Sequence, residues 1–186
     1  LDPQANLEHR ITTSDEQQAH YLKSLLGESP DDFRELDFLD KLVPSESILL
    51  TLAFYSYGLT NMAFSEQAYT SFAEKNIDRA IQKALTPRIL QNFSNSFGNP
   101  LEEAGTENVL YRGHLNLMMG AYALVSGNHK YLPLQKRLTA ALARAFLASP
   151  TGHLQSYPKH RWPADNVGAL ASINLYDHLS GEDHRA

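Results

Sequence analysis

Cysteine is absent from the 186 residues, and that single gap removes disulfides, thiolate nucleophiles and cysteine-ligated metals together. It also suits an oxidising compartment, so a periplasmic or cell-envelope location is expected. Long hydrophobic runs are missing too. The longest, residues 48–55, is interrupted by Thr51 and falls well short of the roughly 18 residues a membrane span needs. Positive charge is not in excess: 16 Lys and Arg are scattered against 21 Asp and Glu, for a net charge of −5. A phosphate-binding surface wants clustered cations, so nucleic acid is not expected as a partner. Residues 1–8 lack a basic-then-apolar signal pattern and start on Leu1, which reads as a processed or trimmed product.

What is present is enough apolar material for a core, with 42% hydrophobic and 20% charged residues, in a chain of about one domain's length. Apolar residues recur at helical spacing nearly throughout and no segment alternates as a strand, which predicts an all-α fold. Ser14 and Gln17 read as a capping box opening a short helix that Gly27 and Pro30 stop. A second modest helix is predicted over 31–42, with Phe33, Leu36, Leu39 and Leu42 on one face. Residues 1–44 are thus expected to form peripheral helices and 45–186 the main domain.

In that main domain, residues 45–64 are apolar nearly all round, which marks a buried helix, and 66–85 are amphipathic. Thr86 and Pro87 read as N-cap and first helical residue of a short helix to 97. The order then repeats: a mostly apolar helix over 109–126 with Gly127 as its C-cap, then an amphipathic one over 133–148. A loop over 149–163 leads to a third buried helix over 164–179. Buried and amphipathic helices in alternation are the organisation of an αα-hairpin toroid, whose inner helices line a funnel. Three inner helices make about half of a six-hairpin barrel. The expectation is therefore a half-toroid, completed by a homo-oligomer or by a missing second half, with Leu170, Ile173 or Leu175 exposed at its free edge.

Two polar clusters fall at the starts of inner helices, where unpaired N–H groups and the positive dipole end would meet the cavity. The first holds Tyr111, Arg112, His114 and Asn116. His114 is a candidate general acid or base, or else a core histidine bonded to a carbonyl. The second holds Tyr157, Arg161, Trp162, Asp165 and Asn166. In the first helical turn Asp165 is expected to stay ionised, as a better base than proton donor, and Trp162 could stack on an apolar or sugar-like ligand. Capping by Asp165 and packing by Trp162 is the plainer alternative. A third cluster, Tyr55, Ser56, Tyr57, Gly58 and Asn61, reads mainly as packing, with Gly58 permitting a close helix approach; Tyr57 is kept as a ligand-contact candidate. The eight histidines form no metal signature, and neither a Gly-rich phosphate loop nor a Gly-x-Ser-x-Gly elbow is present. No metal and no cofactor are expected.

These clusters carry a resemblance. Residues 52–59 (LAFYSYGL), 107–127 (ENVLYRGHLNLMMGAYALVSG), 162–166 (WPADN) and 175–185 (LYDHLSGEDHR) are similar, in the same order, to segments of the linalool dehydratase-isomerase family. The resemblance implies an (α/α)6 toroid with its site among the inner helices and near subunit contacts. It implies acid-base chemistry for His114, which matches the histidine of the family's GHLNLM motif. WPADN lies where the family has Cys-Glu-Pro-Asp-Asn, so Trp162 replaces a catalytic cysteine while Asp165 and Asn166 remain. The second cysteine has no counterpart, and a further family aspartate has only a faint echo at Asp37. Linalool hydration or dehydration is therefore not expected on this scaffold.

Three functions follow. The first is a lyase or isomerase acting on a small, partly apolar molecule, with His114 and Asp165 as catalytic pair and Tyr57, Tyr111, Arg112, Asn116, Tyr157, Arg161, Trp162 and Asn166 around the substrate. The second is a carbohydrate-active αα-toroid enzyme in which Asp165 and Trp162 dominate. The third is a non-catalytic binding or assembly protein. A small-molecule ligand or sugar is the expected partner.

Overall fold

The computed structural model describes residues 12–27, 29–41, 46–102 and 107–184. Among them the chain is all-α: α1 (Thr13–Leu25), α2 (Asp37–Asp40), α3 (Glu46–Ser65), α4 (Thr70–Ala84), α5 (Pro87–Phe97), α6 (Val109–Ser126), α7 (Leu132–Ala148) and α8 (Pro163–Ser180), with one 3-10 turn at Gln67–Tyr69. No helix among the described residues is long and apolar enough to cross a membrane.

The centre is α6. Its sequence is apolar on nearly every side, and it packs against α3 on one flank and α8 on the other, with α4 and α7 also in contact. Buried residues of α3 (Leu49, Leu52, Leu59), α4 (Ile77, Ile81) and α6 (Leu115, Met118, Met119) share one core. A smaller cluster of Val109, Leu142, Leu154, Ala169 and Ile173 joins α6, α7 and α8. Gly127, at φ 66, closes α6 in the left-handed conformation that the sequence anticipated.

Backbones meet most closely between α6 and α8. A Cβ on Gly113 would lie 2.8 Å from the Ala169 Cβ and 2.9 Å from its Cα, so only glycine fits there. Gly58 is the opposite case. It was expected to permit such an approach in α3, yet a Cβ there would meet nothing within 4 Å among the described residues.

The N-terminal region departs most from expectation. Thr12 and Asp15, not Ser14 and Gln17, form the capping box of α1. The Asp15 carboxylate accepts both the Thr12 N–H (2.8 Å) and its hydroxyl (2.7 Å), and a charged acceptor outcompetes a neutral amide. The helix predicted over 31–42 shrinks to Asp37–Asp40, while 42–45, including Leu42, lie outside the described residues. Lys83 of α4, which is fully buried, spans the start of this stretch: its Nζ donates to the carbonyls of Ser29, Pro30 and Asp32 and ties them together as turns. Leu26, Phe33 and Leu36 still join the main core. Thr86 is the N-cap residue of α5 with Pro87 following it, as expected, but its hydroxyl donates back to the Lys83 carbonyl at 2.7 Å and not to the helix. At the other end Leu170 and Val167 of α8 are 50% and 64% exposed whereas Ile173 is buried.

The two glycines should separate in stability measurements. Gly113→Ala must push α8 away from α6 and is expected to cost about 1–3 kcal/mol. Gly58→Ala, in open space on a helix, is expected to stabilise by roughly 0.5–1 kcal/mol. Urea unfolding of both variants checks the contrast.

Candidate functional site

Where α3, α6 and α8 adjoin, three polar side chains from the three helices meet. His114 of α6 is buried at 6% exposure. Its Nδ1 lies 3.0 Å from the Tyr57 hydroxyl of α3, and its Nε2 lies 4.0 Å from Oδ1 of Asp165 in the first turn of α8. Asp165 is itself only 5% exposed, and its Oδ2 is a buried oxygen with no hydrogen-bond partner among the described residues. Gly168, one turn on in α8, leaves room beside the imidazole: a Cβ there would sit 3.5 Å from His114 Cε1. His114 is thus not a core histidine bonded to a carbonyl.

Burial sets the electrostatics. Desolvation pushes His114 down from 6.5 to about 4 and moves Asp165 up from the ordinary carboxylate value, against a smaller opposing pull from the Ser156 hydroxyl. It also raises the Tyr57 phenol, which stays protonated. Asp165 was expected to be held ionised by the helix dipole; burial acts against that dipole. Desolvation thus disfavours the charged form of both partners and draws their proton affinities together.

The walls are aromatic. Tyr57 stacks on His114 at 27° with centroids 6.2 Å apart, and Phe54, one turn earlier in α3, meets it edge-on at 6.1 Å. Phe54 is 60% exposed, and Trp162, at the N-cap of α8, is 47% exposed. Trp162 packs edge-on against Tyr157, whose hydroxyl donates to the Glu46 carboxylate at the start of α3.

The remaining candidates have structural work. Tyr111 is wholly buried, packs on Phe93 and donates to the Ala84 carbonyl at 2.9 Å, so it faces α4 and α5 and not a ligand. Arg112 is also wholly buried and donates to the carbonyls of Pro100 and Glu102, fixing the loop after α5. Asn116 bridges Thr139 of α7 and Ser172 of α8, each at 2.9 Å. Asn166 pins the loop before α8, accepting from the Leu154 N–H at 2.7 Å and donating to the carbonyls of Leu154 and Trp162. Arg161 lines a separate cleft of about 390 Å³ with Glu107, Arg144 and Leu154, among whose lining residues His114 and Asp165 do not figure. The cluster at the start of α6 was read correctly as polar. Side chains 112 and 116 point to other neighbours because successive helical positions turn by about 100°, while Tyr111 is drawn aside by Phe93 and the Ala84 carbonyl.

No family model matches the chain. Among the described residues no group of three or more His, Asp or Glu is placed to hold a metal ion.

Phe54, Ser156 and Gly168 escaped the sequence reading. Phe54 had a usable signal, lying three residues before Tyr57 and so on a neighbouring position of the same helix. Ser156 had none, since its place beside Asp165 depends on the fold of the 149–162 loop.

The burial of His114 predicts a pH signature. Its folded value lies below its unfolded one, so between pH 6.5 and about 4 the unfolded chain binds more protons and stability falls as the pH drops. The full effect is roughly 3 kcal/mol. Asp165, shifted upward, works in the opposite sense. The comparison is therefore best made between Asp165→Asn and the double variant Asp165→Asn/His114→Asn, where the second should lose the acid-side slope in urea unfolding.

Proposed function

We propose that the protein is a lyase or isomerase of an αα-toroid type similar to the linalool dehydratase-isomerase family, transferring a proton on a small, partly apolar substrate. The observation that carries this reading is the juxtaposition of His114, braced through Nδ1 by Tyr57, with the buried and unpartnered carboxyl oxygen of Asp165. The packing of α6 between α3 and α8, with α4 and α7 against it, supports inner and outer helices of a toroid. Exposed Val167 and Leu170 on α8 suit an edge against which further helices, from this chain or a second copy, would pack.

With Nδ1–H donated to the Tyr57 oxygen, Nε2 of His114 is a free base facing Asp165. In an elimination, Asp165 delivers its proton to the leaving hydroxyl, which departs as water as the C–O bond breaks. His114 Nε2 takes a proton from the adjacent carbon, and the C–H electron pair becomes the new C=C bond. Running the elimination in reverse, with the proton returned to one carbon and water added at another, would give isomerisation. Phe54 and Trp162 offer apolar surface to the hydrocarbon part. The thiol chemistry of the similar family has no equivalent in a chain without cysteine. The carbohydrate reading is weaker, since Asp165 is the one acidic residue buried among the described residues and glycoside hydrolysis ordinarily uses two carboxyl groups.

Deuterium incorporation from D2O into a panel of small, partly apolar alcohols other than linalool tests the proposal. His114→Gln and Asp165→Asn should each lower exchange by about 10²-fold or more, and Tyr57→Phe by roughly tenfold through loss of imidazole orientation alone. Activity in the wild type should peak on the acid side of neutrality, limited near pH 4 by protonation of His114 and at higher pH by ionisation of Asp165. Asp165→Asn should abolish the alkaline limb. Activity on sugars that survives His114→Gln but not Asp165→Asn would decide for the carbohydrate enzyme.

A further inference from the structure

Two helices of this chain carry an aspartate three residues after the N-cap, Asp15 in α1 and Asp165 in α8. Such a residue ordinarily turns back to accept the N–H of the N-cap residue, a donor that the helix start leaves unpaired. Asp15 does so, accepting from the Thr12 N–H at 2.8 Å. In α8 the N-cap residue is Trp162, and its N–H goes instead to Oγ of Ser156, at 3.4 Å. The Asp165 carboxyl is turned across to α6, where Oδ1 lies 4.0 Å from His114 Nε2.

The substitute acceptor is held from several sides. Ser156 is 1% exposed, and its own N–H donates to the His160 carbonyl at 2.9 Å, closing the turn at 157–160. The carbonyl of Gln155, the residue before it, accepts from the Val109 N–H at the start of α6. Leu154 is bonded through both its N–H and its carbonyl to the Asn166 side chain in α8. The serine is therefore anchored to α6 and α8 at once. Having accepted from Trp162, its hydroxyl still has a proton to donate, and it draws down the proton affinity of the Asp165 carboxyl. One small hydroxyl thus stands between the N–H that needs an acceptor and the carboxyl that would otherwise supply it.

We propose that Ser156 is a positioning residue: by taking the Trp162 N–H it releases Asp165 from capping α8 and leaves the carboxyl to face His114. The release rests on this geometry, and its consequence for turnover rests on the proton-transfer reading.

Labelling with 15N-tryptophan tests it, because the chain has one tryptophan and so gives a single backbone amide signal. In the wild type the Trp162 amide proton should move little as the carboxyl groups ionise. In Ser156→Ala the N–H loses its acceptor, Asp165 turns back to it as Asp15 does in α1, and the signal should shift downfield with ionisation. Ser156→Cys keeps the volume but offers only a weak acceptor, and should behave as Ser156→Ala does; Ser156→Thr should restore the wild-type response. Adding Asp165→Asn to Ser156→Ala should flatten the titration again. That separates Asp165 from Glu46 and Glu107, the carboxylates that Tyr157 and Gln155 of the same loop hold. Deuterium exchange should fall by about tenfold or more in Ser156→Ala and Ser156→Cys and recover in Ser156→Thr. An amide that follows the carboxyl already in the wild type, or one that stays flat in both Ser156→Ala and Ser156→Cys, overturns the proposal. So does exchange that is unchanged in Ser156→Ala once the amide response has appeared. A wild type without exchange but with the expected amide responses removes the reaction and leaves the release of Asp165 standing.

Discussion

The contact between α6 and α8 at Gly113 and Ala169 is the constraint on which the rest depends. His114 and Asp165 stand next to that contact, one residue on from Gly113 and one turn before Ala169. Their 4.0 Å separation therefore holds only while the two backbones touch. Asn116, one turn further along α6, adds hydrogen bonds to Thr139 and Ser172 and so fixes α7 and α8 about the same axis. A polar bridge in a dry interface has few alternative partners, which favours a single register of the three helices.

The same packing explains the chemistry of the pair. In water an imidazole is a stronger base than a carboxylate, and a proton shared between them resides on the ring. Burial lowers the one and raises the other, bringing their proton affinities together. The interior thus sets side by side two groups whose proton affinities are drawn together.

Much of this fold was legible in the order of residues, because helices that are apolar all round and helices with one apolar stripe leave different patterns. The bounds of α3, α6 and α8 fell within a residue or so of expectation, and Gly127 ended α6 as expected. Proximity of His114 and Asp165 was a matter of two helix starts on one layer. What stayed hidden depended on long-range partners. Tyr111 and Arg112 looked like site residues because they neighbour His114 in sequence, but their partners, Ala84, Pro100 and Glu102, lie on segments with no local sign of the contact. The start of the turns at 29–36 is likewise tied together by a lysine about fifty residues downstream, while local periodicity favoured a helix.

That lysine has a consequence for the order of events during synthesis. Lys83 reaches back to the carbonyls of Ser29, Pro30 and Asp32. The turns around those carbonyls therefore cannot take their final form until α4 has emerged from the ribosome and docked on α3. A segment made before α4 therefore closes only after it, and Phe33 and Leu36 join the core at that later point.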